Sequence, residues 1–361
     1  MTENAKKHID SCRFCWMCRH ICPIGNATGL ERNTARARAL GLSLVNRGVF
    51  DLGEVIDNVY ECASCGACTK ECVTGWDPVM FLKEARLDAA LEGKLPEYIN
   101  VLVDNIIETG NAYGKRELSE KLASAIAAHS EKEKLCFFLG VDARYMAPEA
   151  AVTAISAMEK TGVPFTVLMD EPASGQQLEY LISAAAETKE QMVSCAGILG
   201  AFETVVVYDP QDAKVMKHEY AEWGVELKPE IVTFTAFLAR CLENGTLKAE
   251  KRELKAVYQD PFQLARDLKE TEEPRKVISA YAELSEMLCH GKNTMWAGGI
   301  LMAQWMEDVM EKVAADRLRN VRGVGADTVI TASVSEYVSL KKVKQDAVRV
   351  LSIEELICGG K

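Results

Sequence analysis

The sequence has little positive charge in any one place and few histidines. Its 361 residues include 42 Lys and Arg against 53 Asp and Glu, which gives a formal net charge of −11, and they contain no basic tract. Phosphate binding requires clustered Lys and Arg, so nucleic acid is not an expected partner. The five histidines show none of the spacings that metal ligands need.

Long apolar runs are missing as well. The first residues, MTENAKKHIDSC, are polar and lead directly into cysteines, so no apolar core of an export signal is visible. No segment reaches the roughly 18 apolar residues of a membrane-spanning helix, and the most apolar stretch, residues 293–306, is too short. We therefore expect a cytoplasmic protein that is attached to a membrane at most through a partner.

No Gly-x-Gly-x-x-Gly motif follows a predicted strand, so we expect no dinucleotide site. The 48% hydrophobic content is that of a globular protein, and the length predicts two or three domains. From Glu133 onward apolar strands alternate with helices, which is typical of a mostly parallel sheet. The predicted strands are residues 134–141, 164–170, 204–210, 255–261 and 327–333, and the predicted helices between them include 176–193, 274–288 and 302–321.

Cysteine is what the sequence has in excess, with 13 residues. A chain without an export signal keeps its thiols reduced, so their grouping carries the information. Eight form two runs of identical spacing, C-x2-C-x2-C-x3-C: first Cys12, Cys15, Cys18 and Cys22, then Cys62, Cys65, Cys68 and Cys72. The other five are scattered, and we expect them to be buried by packing: Cys136, Cys195, Cys241, Cys289 and Cys358.

This spacing predicts two [4Fe-4S] clusters. In two-cluster ferredoxins the first three cysteines of a run ligate one cluster and the fourth ligates the other. The resulting ligand sets are Cys12, Cys15, Cys18 and Cys72 for the first cluster, and Cys62, Cys65, Cys68 and Cys22 for the second. The alternative is a pair of structural zinc sites, which favour two CxxC-like pairs per metal over runs of four.

The residues around the ligands differ between the runs. Phe14 and Trp16 are bulky, whereas Ala63, Ser64 and Gly66 are small. Our hypothesis is that the second cluster is the more exposed, or the more closely approached by backbone amides, with ordinary packing as the alternative. Basic residues near the first run form either a solvated helix face or a docking surface. They are Arg13, Arg19, His20, Arg32, Arg36 and Arg38.

The two runs, the helical spacer between them and the order of the later strands resemble a family of two-cluster subunits with cysteine-rich "CCG" modules. Its members include the D-type subunit of heterodisulfide reductase, the iron-sulfur proteins of glycolate oxidase and lactate utilisation, and the C-type subunit of anaerobic glycerol-3-phosphate dehydrogenase. The resemblance implies an α+β multidomain fold. Its expected parts are an α-helical ferredoxin-like domain (1–115) and two α/β CCG-like modules with mostly parallel sheets (116–248 and 249–361).

The modules depart from the family where its cysteines stand. Strongly iron-ligating residues are absent from these positions, so we expect modules that keep the fold without a metal. The positions hold Val141, residues 171–175 (EPASG) and Asp209 in the first module, and Phe262, residues 295–299 (MWAGG) and Ser333 in the second.

The expected function is electron transfer through two [4Fe-4S] clusters, with no catalytic residue in this chain. The resemblance implies a hetero-oligomer in which the electron donor is an FAD-containing dehydrogenase or an electron-transferring flavoprotein. One alternative is a catalytic role, with a pocket in the modules that reduces a disulfide or a quinone. Another is a redox sensor that signals by cluster loss.

Overall fold

The computed structural model of the chain describes residues 1–343 and 348–359. Its first part is helical, and most of these short helices pack their apolar faces into one core. The helices are α1 (Glu3–Ile9), α2 (Met17–His20), α3 (Pro23–Thr28), α4 (Ala35–Asn46), α5 (Leu52–Tyr60), α6 (Ala67–Glu71), α7 (Pro78–Leu91), α8 (Glu97–Thr109) and α9 (Glu120–Ala127).

A first parallel sheet follows, with strand order β1-β2-β3. β1 and β2 are almost wholly apolar, as strands covered by helices on both faces must be. The strands are β1 (Leu135–Phe138), β2 (Thr204–Val207) and β3 (Glu230–Thr233). The helices around them are α10 (Val141–Met146), α11 (Pro148–Glu159), α12 (Gln176–Ile182), α13 (Ala186–Leu199), α14 (Pro210–Lys214), α15 (Tyr220–Glu222) and α16 (Phe234–Glu243).

A second parallel sheet has the order β5-β4-β6-β7. Its strands are β4 (Lys255–Gln259), β5 (Glu283–Ser285), β6 (Thr328–Thr331) and β7 (Arg349–Ser352). Its helices are α17 (Glu272–Tyr281), α18 (Ala303–Arg322), α19 (Val334–Lys342) and α20 (Ile353–Cys358). The predicted fold class, a helical domain followed by two α/β units with parallel sheets, is confirmed.

Three local predictions are wrong. The strand at 164–170 is reduced to a single bridge between Thr166 and Cys136. The helix at 176–193 is two helices, because Ser183 has φ of 54° and breaks the first. The helix at 274–288 ends at Tyr281, where extended Ala282 leads into β5.

The units share their cores. Leu178, Leu181 and Ile182 of α12 pack into the core of the N-terminal helices, and one further core joins side chains of both sheets, among them Phe137 and Tyr258. The boundaries after residues 115 and 248 therefore stay predictions, and the last expected domain also includes residues 344–347 and 360–361, which lie outside the described residues. No helix within residues 1–343 and 348–359 has the length and apolar character that crossing a bilayer requires.

One buried cation ties the N-terminal helices to the first module. Arg86, in α7, is 1% exposed, and its guanidinium stacks on the rings of Tyr60 and Tyr180, 5.1 and 4.3 Å from their centroids. It donates hydrogen bonds to the carbonyl oxygens of Tyr180, Val59 and Cys62, at 2.8, 3.3 and 2.8 Å. These carbonyls take the place of the water that the charge loses on burial.

Replacing Arg86 with Met removes these hydrogen bonds and keeps much of the side-chain volume. We expect the free energy of unfolding to fall by at least about 2 kcal/mol, because hydrogen bonds to charged groups are worth about 1.5–3 kcal/mol each. Urea denaturation under anaerobic conditions measures the loss. The matched control is Arg116→Met at an exposed position, where the change should stay below about 0.5 kcal/mol. Equal losses in both variants would contradict this role of Arg86.

Candidate metal centre

The two cysteine runs fold into loops of the same shape. Phe14 and Trp16, which flank the second cysteine of the first run, have φ of 58° and 65°. Ser64 and Gly66 take the same two places in the second run, with φ of 51° and 69°. This left-handed backbone costs a non-glycine residue about 1–3 kcal/mol. The loop shape, rather than local preference, therefore dictates the conformation of Phe14, Trp16 and Ser64.

Each loop turns backbone amides toward its thiols. The amide of Phe14 donates to Cys12 Sγ and the amide of Ser64 donates to Cys62 Sγ, both at 3.4 Å. Cys22 caps α3, and its Sγ accepts from a further amide, also at 3.4 Å. Hydrogen bonds to sulfur are one of the means by which proteins set the reduction potential of a cluster.

The last cysteine of the second run lies with the first three of the first run. One cavity is lined by Cys12, Cys15, Cys18 and Cys72, with Trp76 also in its wall. Cys72 reaches this place because the chain leaves α6 in an extended conformation, with φ −74° and ψ 114° at Cys72.

Cys22, the last cysteine of the first run, lies with the second run. It packs in one cluster with Ala63, Cys65 and Ala67. Burial raises the pKa of Cys68 most, followed by the charges of Cys62 and Cys65. The charge of Cys22 raises it further. The backbone at Cys22, with φ −76° and ψ 110°, nearly repeats that at Cys72. The structure therefore places Cys72 beside the first three cysteines of the first run and Cys22 beside Cys65 of the second, and the two ligand sets stay predictions.

Burial makes several of these thiols hard to ionise. It raises the pKa of Cys18 and of Cys65 to about 11 and raises that of Cys68 well above its usual value. For Cys72 burial acts in the same direction, but hydrogen bonds from Thr74 and from the backbone of the next two residues together lower its pKa. The thiolates of Cys18, Cys65 and Cys68 therefore need a positive partner, which bound iron would supply.

All eight residues are free cysteines, and two sets of four thiols match a [4Fe-4S] cluster in number and in kind of ligand. The part of the chain that the structure describes has no group of three or more His, Cys, Asp or Glu side chains placed as the ligands of a single metal ion.

Three arginines hold the backbone of the second run. Arg38, 2% exposed, donates to the carbonyl oxygen of Glu61 at 2.8 Å, and Arg86 donates to that of Cys62. Arg266, from the second module, donates through Nε to the carbonyl oxygen of Cys65 at 2.8 Å. Arg38 is therefore not part of a solvated helix face. Sequence reasoning missed Arg266 because its partner lies 201 residues away and no spacing links the two.

The two sets differ in depth, and our hypothesis of a more exposed second site is wrong. Cys15 is exposed and its neighbours Phe14 and Trp16 are 59% and 44% exposed, whereas Cys65 and Ala63 are 8% and 7% exposed. The small side chains of the second run allow Phe262 and Trp296 of the second module to pack against Ala63 and Cys65. The bulky residues of the first run project from the surface instead.

The module positions that lack cysteine carry structural contacts. Glu171 accepts hydrogen bonds from two amides of the loop after β1, at 2.7 and 2.8 Å. Ser333 caps α19. Asp209 caps α14 by accepting from the amide of Gln211 at 2.7 Å. Glu171, Asp209 and Ser333 thus make turn and helix-capping contacts.

Three carboxyl groups are nevertheless buried close together beside the second site. Asp142, Asp209 and Asp212 are 6%, 2% and 1% exposed. Burial, and then the charge of Asp142, raises the pKa of Asp209 to about 7. Oδ2 of Asp209 is buried without a hydrogen-bond partner within the described residues. Asp142 and Asp209 line a cavity of about 70 Å³ that also touches Ala63. Asp142 and Asp212 belong to no sequence motif, which is why they were not predicted.

The chain is similar to known iron-sulfur proteins. Residues 8–76 match the model of the 4Fe-4S dicluster domain. The chain is 25% identical over 362 residues to the D-type subunit of the dihydromethanophenazine:CoB–CoM heterodisulfide reductase of Methanosarcina acetivorans, covering 90% of this chain and 86% of that protein. The chain resembles iron-sulfur subunits of the heterodisulfide reductase type. The N-terminal helices are accordingly called the dicluster domain below.

Two further proteins and one solved structure are also similar to the chain. An iron-sulfur protein of Methanocaldococcus jannaschii is 22% identical over 351 residues, covering 94% of this chain and 70% of that protein. A probable membrane-anchored ferredoxin of Chromohalobacter salexigens is 26% identical over 291 residues, and the match covers 77% of this chain but only 42% of the ferredoxin. The crystal structure of a hypothetical protein from Helicobacter pylori has a TM-score of 0.56 at 11% identity, covering 100% of this chain and 73% of that one. It shares the fold.

The buried carboxyl group of Asp209 makes stability depend on pH. Its pKa in the folded protein, about 7, lies above the usual value of about 3.9, so its protonated form stabilises the fold below pH ~4 and this contribution is lost as the pH rises through 7. Asp209→Asn keeps the helix cap and cannot ionise. We expect the variant to gain stability over the parent at pH 8 relative to pH 4.5, by up to about 1.4 kcal/mol per pKa unit.

Thermal unfolding of both proteins at the two pH values measures this gain. The control is Asp170→Asn, at an exposed position, which should show no comparable pH-dependent gain. If the stability difference between the parent and Asp209→Asn is the same at both pH values, Asp209 is ionised in the folded protein at both, which contradicts the prediction.

Proposed function

We propose that the chain is an electron-transfer subunit that relays electrons through two [4Fe-4S] clusters. Cys12, Cys15, Cys18 and Cys72 would ligate the first, and Cys62, Cys65, Cys68 and Cys22 the second. The observation that carries this proposal is the crossing of the fourth cysteines, since Cys72 shares a cavity with the first three thiols and Cys22 packs beside Cys65. Crossed ligation of this kind is typical of two-cluster electron carriers.

The partner that we propose is a flavoprotein, either an FAD-containing dehydrogenase or an electron-transferring flavoprotein, in a hetero-oligomer. One relative is named as a subunit of heterodisulfide reductase, which supports an assembly. Anaerobic copurification tests the partner: the proposal predicts a flavin-containing protein, and its replacement by a partner without flavin would refute this choice.

A second candidate function is reduction of a disulfide or quinone in the modules. The cavity at Asp142 and Asp209 favours it, because Gln263 Oε1 in its wall is a second buried acceptor without a partner in the described part of the chain. Its volume of about 70 Å³ has room for about two water molecules at roughly 30 Å³ each and none for such a substrate. Turnover of a quinone or a disulfide by the isolated protein would favour this candidate over the relay.

Arg266 is expected to set the potential of the second cluster. Its positive charge lies next to Cys65 and favours the more negative, reduced state. Arg266→Gln should therefore lower the midpoint potential of one cluster, and a tenfold shift in its reduced fraction corresponds to 59 mV. An EPR-monitored redox titration measures this. Arg240→Gln, at an exposed position in the first module, should leave both potentials unchanged.

Serine variants of the two crossing cysteines test the ligand assignment. The second cluster is recognised as the one whose potential responds to Arg266→Gln. Cys72→Ser should disturb the first cluster and leave the second intact, whereas Cys22→Ser should disturb the second. Iron and acid-labile sulfide analysis with EPR distinguishes them, and Cys241→Ser, a buried cysteine outside both sets, should keep the full iron content. The reverse pairing would show that each run holds its own cluster, and a colourless zinc protein would refute the clusters altogether.

A further inference from the structure

We propose that the surface over the first cysteine set is the docking site for an acidic one-electron carrier protein. This docking face consists of Arg13, Phe14, Trp16, Met17 and Val73. The inference rests on the proposed function, because it needs a cluster beneath the face, and it adds the chemistry of the partner that exchanges electrons there.

The docking face is apolar and projects into solvent. Phe14, Trp16, Met17 and Val73 are 59%, 44%, 44% and 88% exposed, and they are four of the sixteen large apolar side chains that are exposed in the described part of the chain. Arg13, Trp16, Met17 and Val73 also line the cavity that holds the thiols of the first set. Exposed apolar side chains that gather in one place mark interaction sites.

Two residues of the docking face, Phe14 and Trp16, have a left-handed backbone that costs conformational free energy. Trp16 occupies the left-handed position that Gly66 fills in the second run. Glycine adopts this conformation without strain, whereas a bulky residue there loses about 1–2 kcal/mol. Trp16 is 44% exposed, so it contributes little to the core and is available for a contact outside the chain.

The charge of the docking face identifies the partner. The segment from residue 11 to residue 30 contains Arg13, Arg19 and His20 and no Asp or Glu, although the whole chain has a net charge of −11. Arg36 stacks on the ring of Phe14 at 3.9 Å, and its Nε is buried without a partner within the described residues. Arg19 is partly neutralised by Glu31 at 3.3 Å. A cationic rim around an apolar centre complements a carboxylate-rich surface.

The same charge argues against other occupants. A second copy of this chain would bring the arginines of two docking faces together, and juxtaposed like charges oppose association. A small molecule would find only the thiol cavity that these side chains line, and that cavity is reserved for the cluster in the proposed function. An acidic protein both covers the apolar side chains and neutralises the rim.

Two probes of equal redox chemistry and opposite charge test the proposal. They are a basic c-type cytochrome and the same cytochrome after succinylation of its lysines. The full chain with its clusters is reduced with dithionite, freed of excess reductant, and mixed with each probe in a stopped-flow instrument. In each event one electron passes from a reduced cluster to the ferric haem iron, which becomes ferrous.

The succinylated probe should react faster at low ionic strength, and its rate constant should fall as salt screens the charges. Arg13→Glu should lower this rate constant about tenfold and flatten its salt dependence. Arg116→Glu, the matched control at an exposed position outside the docking face, should change neither. A faster reaction of the native basic probe, or an Arg13→Glu variant that behaves like the parent, would overturn the proposal.

Trp16→Gly tests the apolar part without disturbing the loop, because glycine accepts the left-handed backbone. The rate constant with the succinylated probe should fall at least threefold, while an iron and acid-labile sulfide content equal to that of the parent shows that the cluster is intact. Equal rate constants for variant and parent with the cytochrome would remove the apolar contact from the proposal.

The proposal and the proposed function fail in different ways. Absence of iron and acid-labile sulfide would refute the function, whereas intact, reducible clusters without the expected salt dependence would refute the docking face alone. Sedimentation velocity supplies the last distinction: a dimer of the parent that dissociates in Trp16→Gly would assign this surface to a second copy of the chain.

Discussion

Hydrogen bonds from buried guanidinium groups to the backbone of the second cysteine run are the interactions on which the rest of the structure depends. Arg86 reaches the carbonyl oxygen of Cys62 from the dicluster domain, and the hydroxyl of Tyr180 donates to the same oxygen from the first module at 2.6 Å. Arg266 reaches Cys65 from the second module. All three parts of the chain hold one loop, so both modules help to fix the geometry of the site. The modules therefore have a structural task that requires no metal of their own.

The same arrangement explains why two loops of equal shape differ in environment. The second run has alanine and glycine where the first has arginine and tryptophan, so Phe262 and Trp296 of the second module can pack against it. Trp16 in the first run and Val73 just after the second remain exposed. A cluster in the deeper site would lie in a less polar environment than one at the surface, and burial is one of the factors that separate the potentials of otherwise similar clusters.

The sequence could predict whatever depends on spacing within a short segment. The cysteine runs, the strands around Phe137, Val206 and Val329, and the parallel arrangement all follow from local patterns. The strand expected around Val167 failed because only Thr166 pairs with a neighbour, and the long helix after residue 175 failed because Ser183 adopts a left-handed backbone that no propensity indicates. The arginine contacts and the carboxyl cluster join residues far apart in the chain, and a single sequence holds no signal for them.

The two modules differ at the positions where the resemblance leads one to expect cysteine. Asp209 follows β2 and Ser333 follows β6, and each now caps the next helix by accepting a hydrogen bond from a backbone amide, at 2.7 and 3.4 Å. Oxygen side chains are favoured caps, so both replacements stabilise a helix start. The side chain of Ser333 has a single oxygen, which the cap uses. Asp209 has a second carboxylate oxygen, which is buried without a partner in the described part of the chain and lies close to the charge of Asp142. Buried acceptors without a partner in the described part of the chain therefore lie on both sides of the cavity beside Ala63, Asp209 Oδ2 in the first module and Gln263 Oε1 in the second.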